Sequence, residues 1–278
     1  MLVFTDRMLK IMRDSEQLAQ SSVSQVVTPG HLLYGCLIQK SGALGEIRLK
    51  SSIELEKLRS TVIMAEPHTK TTSDYLSCSV SKEVLAVFEK AANYMKNYNQ
   101  IHLNEGHLLK ALINSHKVDH LLTEENKQII IRLATSSRDM ITHLAAYSFP
   151  DITSRFIDKV SKKEETELIQ FMETHFSGWL DTIQFAFQQA EQNIYIARND
   201  GGKIIGFAAY DTYQHKKGYF GPMGVLPDCR TKGVGYALLH YCLKDMKEIG
   251  YEYAIIGGAG PLEFYEKACR AVVIPLNE

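Results

Sequence analysis

The stretch Val225–Ala237, VLPDCRTKGVGYA, decides how the C-terminal half of the chain reads. A run that reads as a strand ends in Val225. Pro227 and Asp228 turn the chain, and an apolar helical pattern opens at Val234. Between them Arg230, Gly233 and Gly235 stand at the spacing R-x-x-G-x-G. Glycine carries no Cβ, so a ligand can come close to the backbone there. The start of a helix presents N–H groups without carbonyl partners and a partial positive charge, which suits an anion such as phosphate. Arg230, Thr231, Lys232, Gly233, Val234 and Gly235 are therefore the candidate anion-binding residues.

Around this loop the pattern alternates between strand and helix. A strand is expected over Ser154–Val160, followed by helices capped by Ser161 and broken at Gly178, the second over about Trp179–Gln192. Asn193–Arg198 and Lys203–Tyr213 flank Asn199–Gly202 as a hairpin, and Tyr219–Leu226 feeds the loop. A helix over about Val234–Glu248, a strand at Tyr253–Gly257, a helix at Pro261–Ala268 and a short strand at Val272–Pro275 complete the order.

The N-terminal half is a different object. Thr5–Leu33 and Ser81–Leu109 align without a gap at an offset of 76 residues. Thr5 and Ser81 suit N-caps, apolar residues follow at helical spacing, and each copy reaches Gly-His-Leu-Leu, at Gly30–Leu33 and Gly106–Leu109. A third helix is expected in each copy, over Ser52–Ala65 and over Glu124–Ala145. Two copies of one supersecondary unit packed together form an all-α double-repeat bundle. His31 and His107 recur by duplication at helix starts and are expected to bond backbone there rather than to bind metal. Pro150, in Tyr147–Ile152, stops the last helix and sets domains of 1–147 and 148–278.

Composition bounds the partners. With 31 Lys+Arg against 32 Asp+Glu, no basic excess points to nucleic acid. The five cysteines are odd in number and lack a C-x-x-C pair, so neither a disulfide framework nor a zinc site is expected. The opening MLVFTDRMLK has no apolar signal region and no run of 18 apolar residues occurs, so a cytoplasmic protein that avoids membranes is expected.

Residues 2–145 resemble the N-terminal domain of the Clp family of ATPase chaperones, entered here by Phe4–Arg7. The resemblance implies a docking domain for substrates and adaptor proteins, without catalysis of its own. The ATPase modules are missing, since no G-x-x-x-x-G-K-[ST] loop occurs. Gly30 and Gly106 also stand where phosphoarginine-binding members carry a glutamate, leaving Glu105 as the nearby carboxylate. A dimerisation role for this domain stays open, and with it a homodimer.

Residues 153–278 resemble the GNAT superfamily of N-acetyltransferases, on the strength of Val225–Leu239 following a strand and of Phe264–Lys267 further on. The resemblance implies an α/β (α+β) fold with a mixed, mostly antiparallel sheet. It implies acetyl-CoA as co-substrate, no metal, and a primary amine acceptor, either a small molecule or a protein lysine. Met223, Gly224 and Val225 would present backbone to the pantetheine arm like an added strand and aim an N–H at the thioester oxygen. Gly221, Pro222 and Gly224 fit a bulge there. Tyr265 matches the tyrosine near the cofactor sulfur and would protonate the leaving thiolate. Tyr210, Asp211, His215 and Glu252 stand at or near strand ends, and none is singled out as the base. Gly257–Pro261 lacks the Asn that many members carry, and Cys229 and Cys242 lack His and Asp partners for a nucleophilic role. The competing reading is a non-catalytic adaptor or acyl-CoA sensor whose helical domain binds a protein.

Overall fold

The computed structural model describes residues 2–65, 69–152, 156–230 and 233–276. They form two compact units. One holds the described residues through Ser137 together with Pro275 and Leu276; the other is Arg138–Ile274.

The first unit is helical: α1 (Asp6–Gln20), α2 (Pro29–Leu37), α3 (Gly42–Lys50), α4 (Leu55–Ile63), α5 (Lys82–Asn97), α6 (Glu105–Asn114) and α7 (Glu124–Thr135). The repeat is visible at atomic level. Thr5 caps α1 by accepting the Met8 N–H (3.2 Å). His31 and His107 each sit at the third position of α2 and α6 and accept, through Nδ1, the N–H of the N-cap residues Thr28 and Asn104 (3.2 Å each). Both histidines therefore build helix starts, as their duplication suggests. Each repeat also lends a short extended segment to the other. Thr5 N–H donates to Leu103 O (3.1 Å), and 76 residues on Ser81 N–H donates to Val27 O (2.9 Å). The apolar stripes of α1, α2, α5 and α6 close one core, including Met8, Ile11, Leu32, Leu33, Phe88, Leu108 and Leu109. Glu105 is buried in an ion pair with Arg7, so it is not a free carboxylate available to a guanidinium ligand.

The second unit is a seven-stranded sheet between helices. Its elements are β1 (Arg138–His143), β2 (Ile157–Lys159), α8 (Glu165–His175), α9 (Leu180–Gln188), β3 (Ile194–Arg198), β4 (Ile204–Tyr210), β5 (Tyr219–Val225), α10 (Val234–Ile249), β6 (Tyr253–Ala259), α11 (Leu262–Cys269) and β7 (Val272–Val273). Strand order is β2-β3-β4-β5-β6-β1-β7. Only β5 and β6 pair in parallel; the other neighbours are antiparallel. This is the mixed, mostly antiparallel sheet expected.

Two elements differ from the sequence reading. The first repeat carries α3 (Gly42–Lys50), a further helix between its expected second and third. Arg138–His143 is a strand, not the tail of a helix reaching Ala145, and the two units meet at Ser137/Arg138 rather than at 147/148. The reason is burial with period two. Arg138, Met140 and Thr142 are buried while their neighbours are more open, and the strand fills a slot between β6 and β7.

The sheet has two apolar faces. Tyr195, Ala208, Tyr210, Phe220 and Ile256 pack under α10 and α11, where Leu238, Leu239, Cys242, Leu243 and Met246 form one buried stripe. Burying each such leucine stabilises by about 1.5–3 kcal/mol. Ile194, Ile196, Phe207 and Ala209 pack on the other face with Leu168, Met172, Ile183 and Phe187 of α8 and α9. No helix among the described residues is long and apolar enough to cross a membrane.

Candidate active site

The loop after β5 is shaped by its own side chain. Leu226 N–H makes a last tie to Ile205 O (2.9 Å), Pro227–Cys229 forms a 3-10 turn, and Arg230 folds back so that its Nε donates to Val225 O (3.0 Å). The Arg230 N–H donates to Pro227 O (3.3 Å), so this amide serves the turn itself. Partial burial pulls the Arg230 guanidinium below its ordinary range. Thr231 and Lys232 lie outside the described residues. Gly233 caps α10 at φ +76°, a conformation that favours glycine, and a Cβ there would meet nothing within 4 Å. The first bond into α10 runs from Ala237 N–H to Gly233 O (3.0 Å). The N–H groups of Val234, Gly235 and Tyr236 belong to the helix's first turn, the end that carries partial positive charge.

Beside the loop, β5 leaves its neighbour. Tyr219 pairs with Ile255 and Phe220 with Ile256, and there the parallel ladder stops although both strands continue. Pro222 has no N–H to offer a ladder. On the other side Gly221 and Pro222 together oppose the single residue Ala209, which is the bulge expected in this segment. Backbone groups of Gly221–Met223 and Gly257–Ala259 thus border a parting between two strands. Met223 is half-buried, and Gly224 is pinned by the rings of Phe176 and Phe207, which a Cβ would meet at 2.7 and 2.8 Å.

Tyr265 stands on α11 against this parting. Its ring meets Phe220 edge-on (centroids 6.2 Å apart, 69°) on the face covered by α10 and α11. Burial pushes its phenol above the ordinary tyrosine range, so it holds its proton at neutral pH.

The groups named as possible bases fall elsewhere. Tyr210 is buried with its hydroxyl on Asp245 (3.0 Å), which also takes Lys159 (2.7 Å). Asp211 is buried and accepts from Gly218 N–H (2.7 Å) and Tyr251 OH (2.9 Å), which makes it a turn builder. Glu252 precedes β6 at the end away from the parting, and exposed His215 lies edge-on to Phe185 (3.8 Å). Cys242 is fully buried and burial raises its thiol well above its usual value, which disfavours a nucleophilic thiolate. Sequence reasoning passed over Asp139 of β1, whose carboxylate accepts the Gly258 N–H (2.8 Å) at the parting. Its signal was positional only, because nothing in the local pattern joins residue 139 to residue 258.

Comparison with known proteins follows the same division. Residues 164–269 match the model of the acetyltransferase (GNAT) family, and residues 3–125 that of the Clp repeat (R) N-terminal domain. No curated protein matches the chain. Similar solved structures include a GCN5-related glucosamine N-acetyltransferase region of a fungal multi-domain GH3 beta-N-acetylglucosaminidase, at 18% identity and TM-score 0.44, covering 55% of this chain and 22% of that one. The chain thus spans about a fifth of the length of that protein. The N-terminal domain of ClpD from Arabidopsis thaliana is similar at 20% identity and TM-score 0.38, covering 47% of this chain and 91% of that one. A GCN5-related N-acetyltransferase from Sphaerobacter thermophilus is similar at 14% identity and TM-score 0.40, over 92% of this chain and 90% of that one. Residues 3–125 therefore form a Clp repeat N-terminal domain, and residues 164–269 lie in an acetyltransferase domain of the GNAT family.

Proposed function

We propose that the C-terminal unit transfers an acetyl group from acetyl-CoA directly to a primary amine, and that the helical unit docks a protein that carries or delivers the acceptor. The observation that carries the reading is the end of β5–β6 pairing after Phe220 and Ile256, next to a helix start with an open glycine at 233. Acetyl-CoA supplies an activated acyl thioester. Gly233, Val234 and Gly235 hold its pyrophosphate by backbone N–H groups and helix polarity, with Arg230, Thr231 and Lys232 just before them in sequence. Met223, Gly224 and Val225 offer backbone to the amide arm, in the manner of a strand added to a sheet edge. A backbone N–H aimed at developing negative charge on the acyl oxygen lowers the barrier by about 3 kcal/mol. Tyr265, kept protonated by burial, gives its proton to the departing sulfur, while the proton that the attacking amine releases passes to water, which in turn restores the phenol.

Mixing the full chain with acetyl-CoA and a panel of amines, and following released thiol, tests this reading. Release that requires both substrates is expected. Absence of CoA binding at millimolar concentration removes the proposal. Acetylation of a protein lysine should depend on the helical unit, whereas acetylation of a small free amine should not.

A further inference from the structure

The two helical repeats differ on one outer face, where α5 packs against α6. Lys90, Tyr94 and Tyr98 recur every four residues along α5 and so lie on one side of it, and Lys110 and Asn114 stand one turn apart on α6. Hydrogen bonds knit these residues together. Lys90 Nζ donates to Asn114 O (2.6 Å), Asn114 Nδ2 donates to the Tyr94 hydroxyl (2.9 Å), and Lys110 Nζ donates to the Tyr98 hydroxyl. The Lys110 ammonium also stands 4.7 Å from the centre of the Tyr94 ring and 5.0 Å from that of Tyr98. His107 stacks on Tyr98 (5.8 Å, 22°), whose residue surface is still 47% exposed. The first repeat shows that packing does not need this group: 76 positions earlier stand Asp14, Leu18, Ser22, Tyr34 and Ile38, with neither lysine.

This group has donors in excess. Each phenol oxygen accepts a bond, and among the described residues no oxygen takes either phenol's own proton. Lys90 and Lys110 donate to uncharged oxygens, and among the described residues neither has a carboxylate partner. Two ammonium groups and two hydroxyl protons at an exposed face without an anion suit an acidic ligand. None of these donors is an arginine fork or a backbone N–H at a helix start, the groups best matched to phosphate, and the open Tyr98 ring offers a flat cover for methylene carbons. We infer that this face of the second repeat binds an acidic peptide segment of a partner protein, with glutamate carboxylates on Lys90 and Lys110 and their carbon chains against Tyr98. That the segment belongs to a protein carrying the acceptor rests on the docking role proposed above; the binding surface stands on the geometry.

The full chain is titrated with a fluorescein-labelled hexaglutamate peptide and, in parallel, with its hexaglutamine counterpart, and anisotropy is followed. Saturable binding of hexaglutamate that weakens as salt rises, with none of hexaglutamine, is expected. Lys110→Gln should weaken hexaglutamate at least about tenfold, as expected for losing a charged hydrogen-bond partner, and Tyr98→Phe should weaken it less. Lys96→Gln, which removes an exposed lysine from another side of α5, should leave binding unchanged. Equal denaturant midpoints show that the variants are folded. Equal losses in Lys96→Gln and Lys110→Gln, or binding of hexaglutamine, overturn the inference. So does tighter binding of a singly phosphorylated, otherwise uncharged peptide, or self-association of the chain that Lys110→Gln abolishes. A lysine joined to hexaglutamate by a flexible linker then separates the surface from the docking role. Acetylation of that lysine favoured by the acidic tail in the parent but not in Lys110→Gln upholds both. Binding without any gain in acetylation upholds the surface and removes its docking role. A gain that survives Lys110→Gln keeps docking and overturns this surface.

Discussion

The Arg7 guanidinium and the Glu105 carboxylate meet between the two helical repeats with side chains only 9% and 8% exposed. The pair breaks the duplication, because the positions 76 residues away are Glu83 and Pro29. Removing one partner takes a buried counter-charge from the other. Glu105→Gln should therefore destabilise the helical unit by about 3–5 kcal/mol, whereas Arg7→Met with Glu105→Met should recover most of the loss. Hydrogen exchange of α1 and α6 amides in the full chain reads both variants.

Gly235 separates structure from ligand binding. The nearest atoms to a Cβ there belong to the Val225 and Met223 side chains, at 3.7–4.0 Å, which is ordinary contact. Alanine also favours a helix over glycine by about 1 kcal/mol. Gly235→Ala should leave the protein as stable as the parent or slightly more so, yet weaken acetyl-CoA by blocking close approach of phosphate to backbone. Thermal melting and calorimetry on one sample decide; a stabilised variant with undiminished affinity excludes this loop as the binding surface.

Tyr265→Phe should lower turnover by about 10²–10⁴ with little change in acetyl-CoA affinity. The phenol's raised pKa fixes the pH behaviour: the proton stays in place through neutrality, and loss of the acid form begins above the usual tyrosine value of 10. The alkaline fall in kcat should accordingly contain no Tyr265 component below pH 10. A pH–rate profile of parent and variant that showed such a component would remove Tyr265 as the acid.

His107 makes the helical unit acid-sensitive. Burial first, and Lys110 second, lower its pKa from 6.5 to about 4. The folded state thus binds fewer protons than the unfolded state between these values. Stability from this group is complete above pH 6.5 and declines as pH falls toward 4, by on the order of 3 kcal/mol in all. Protonation would also take from Nδ1 its ability to accept the Asn104 N–H. Denaturant midpoints of the helical unit across pH 4–7, in the parent and in His107→Asn, test the slope, which the substitution should flatten.

What the chain discloses before folding follows the range of its interactions. R-x-x-G-x-G, Phe264–Lys267 and the doubled Gly-His-Leu-Leu act within a turn or two, so their spacing reports their structure. The hairpin Asn199–Gly202 does the same: the Asn199 side chain accepts from Gly201 and Lys203 N–H. Strand β1 is different. Its six residues hold two strong apolar side chains and continue a helical run, and the break at Ser136–Ser137 is its main local sign. Its register is set by β6, more than a hundred residues away, through Met140↔Ile256 and Thr142↔Ala254. Asp139 was hidden for the same reason. Its place beside Gly258 is a property of that pairing, not of its neighbours in sequence.

The position of β1 has a consequence for synthesis. The first strand of the sheet to leave the ribosome takes the sixth place in it, and its inner neighbour β6 ends at Ala259. At roughly 5–20 residues per second, translation from His143 to Ala259 takes on the order of 6–23 s. Through that interval the nascent chain carries an unpaired strand edge. Arg138, Asp139 and His143 then act as guards, because charged and polar side chains on a short strand discourage pairing with other chains. The arginine that ends among the most deeply buried side chains of the finished protein would spend its first seconds keeping neighbouring polypeptides apart.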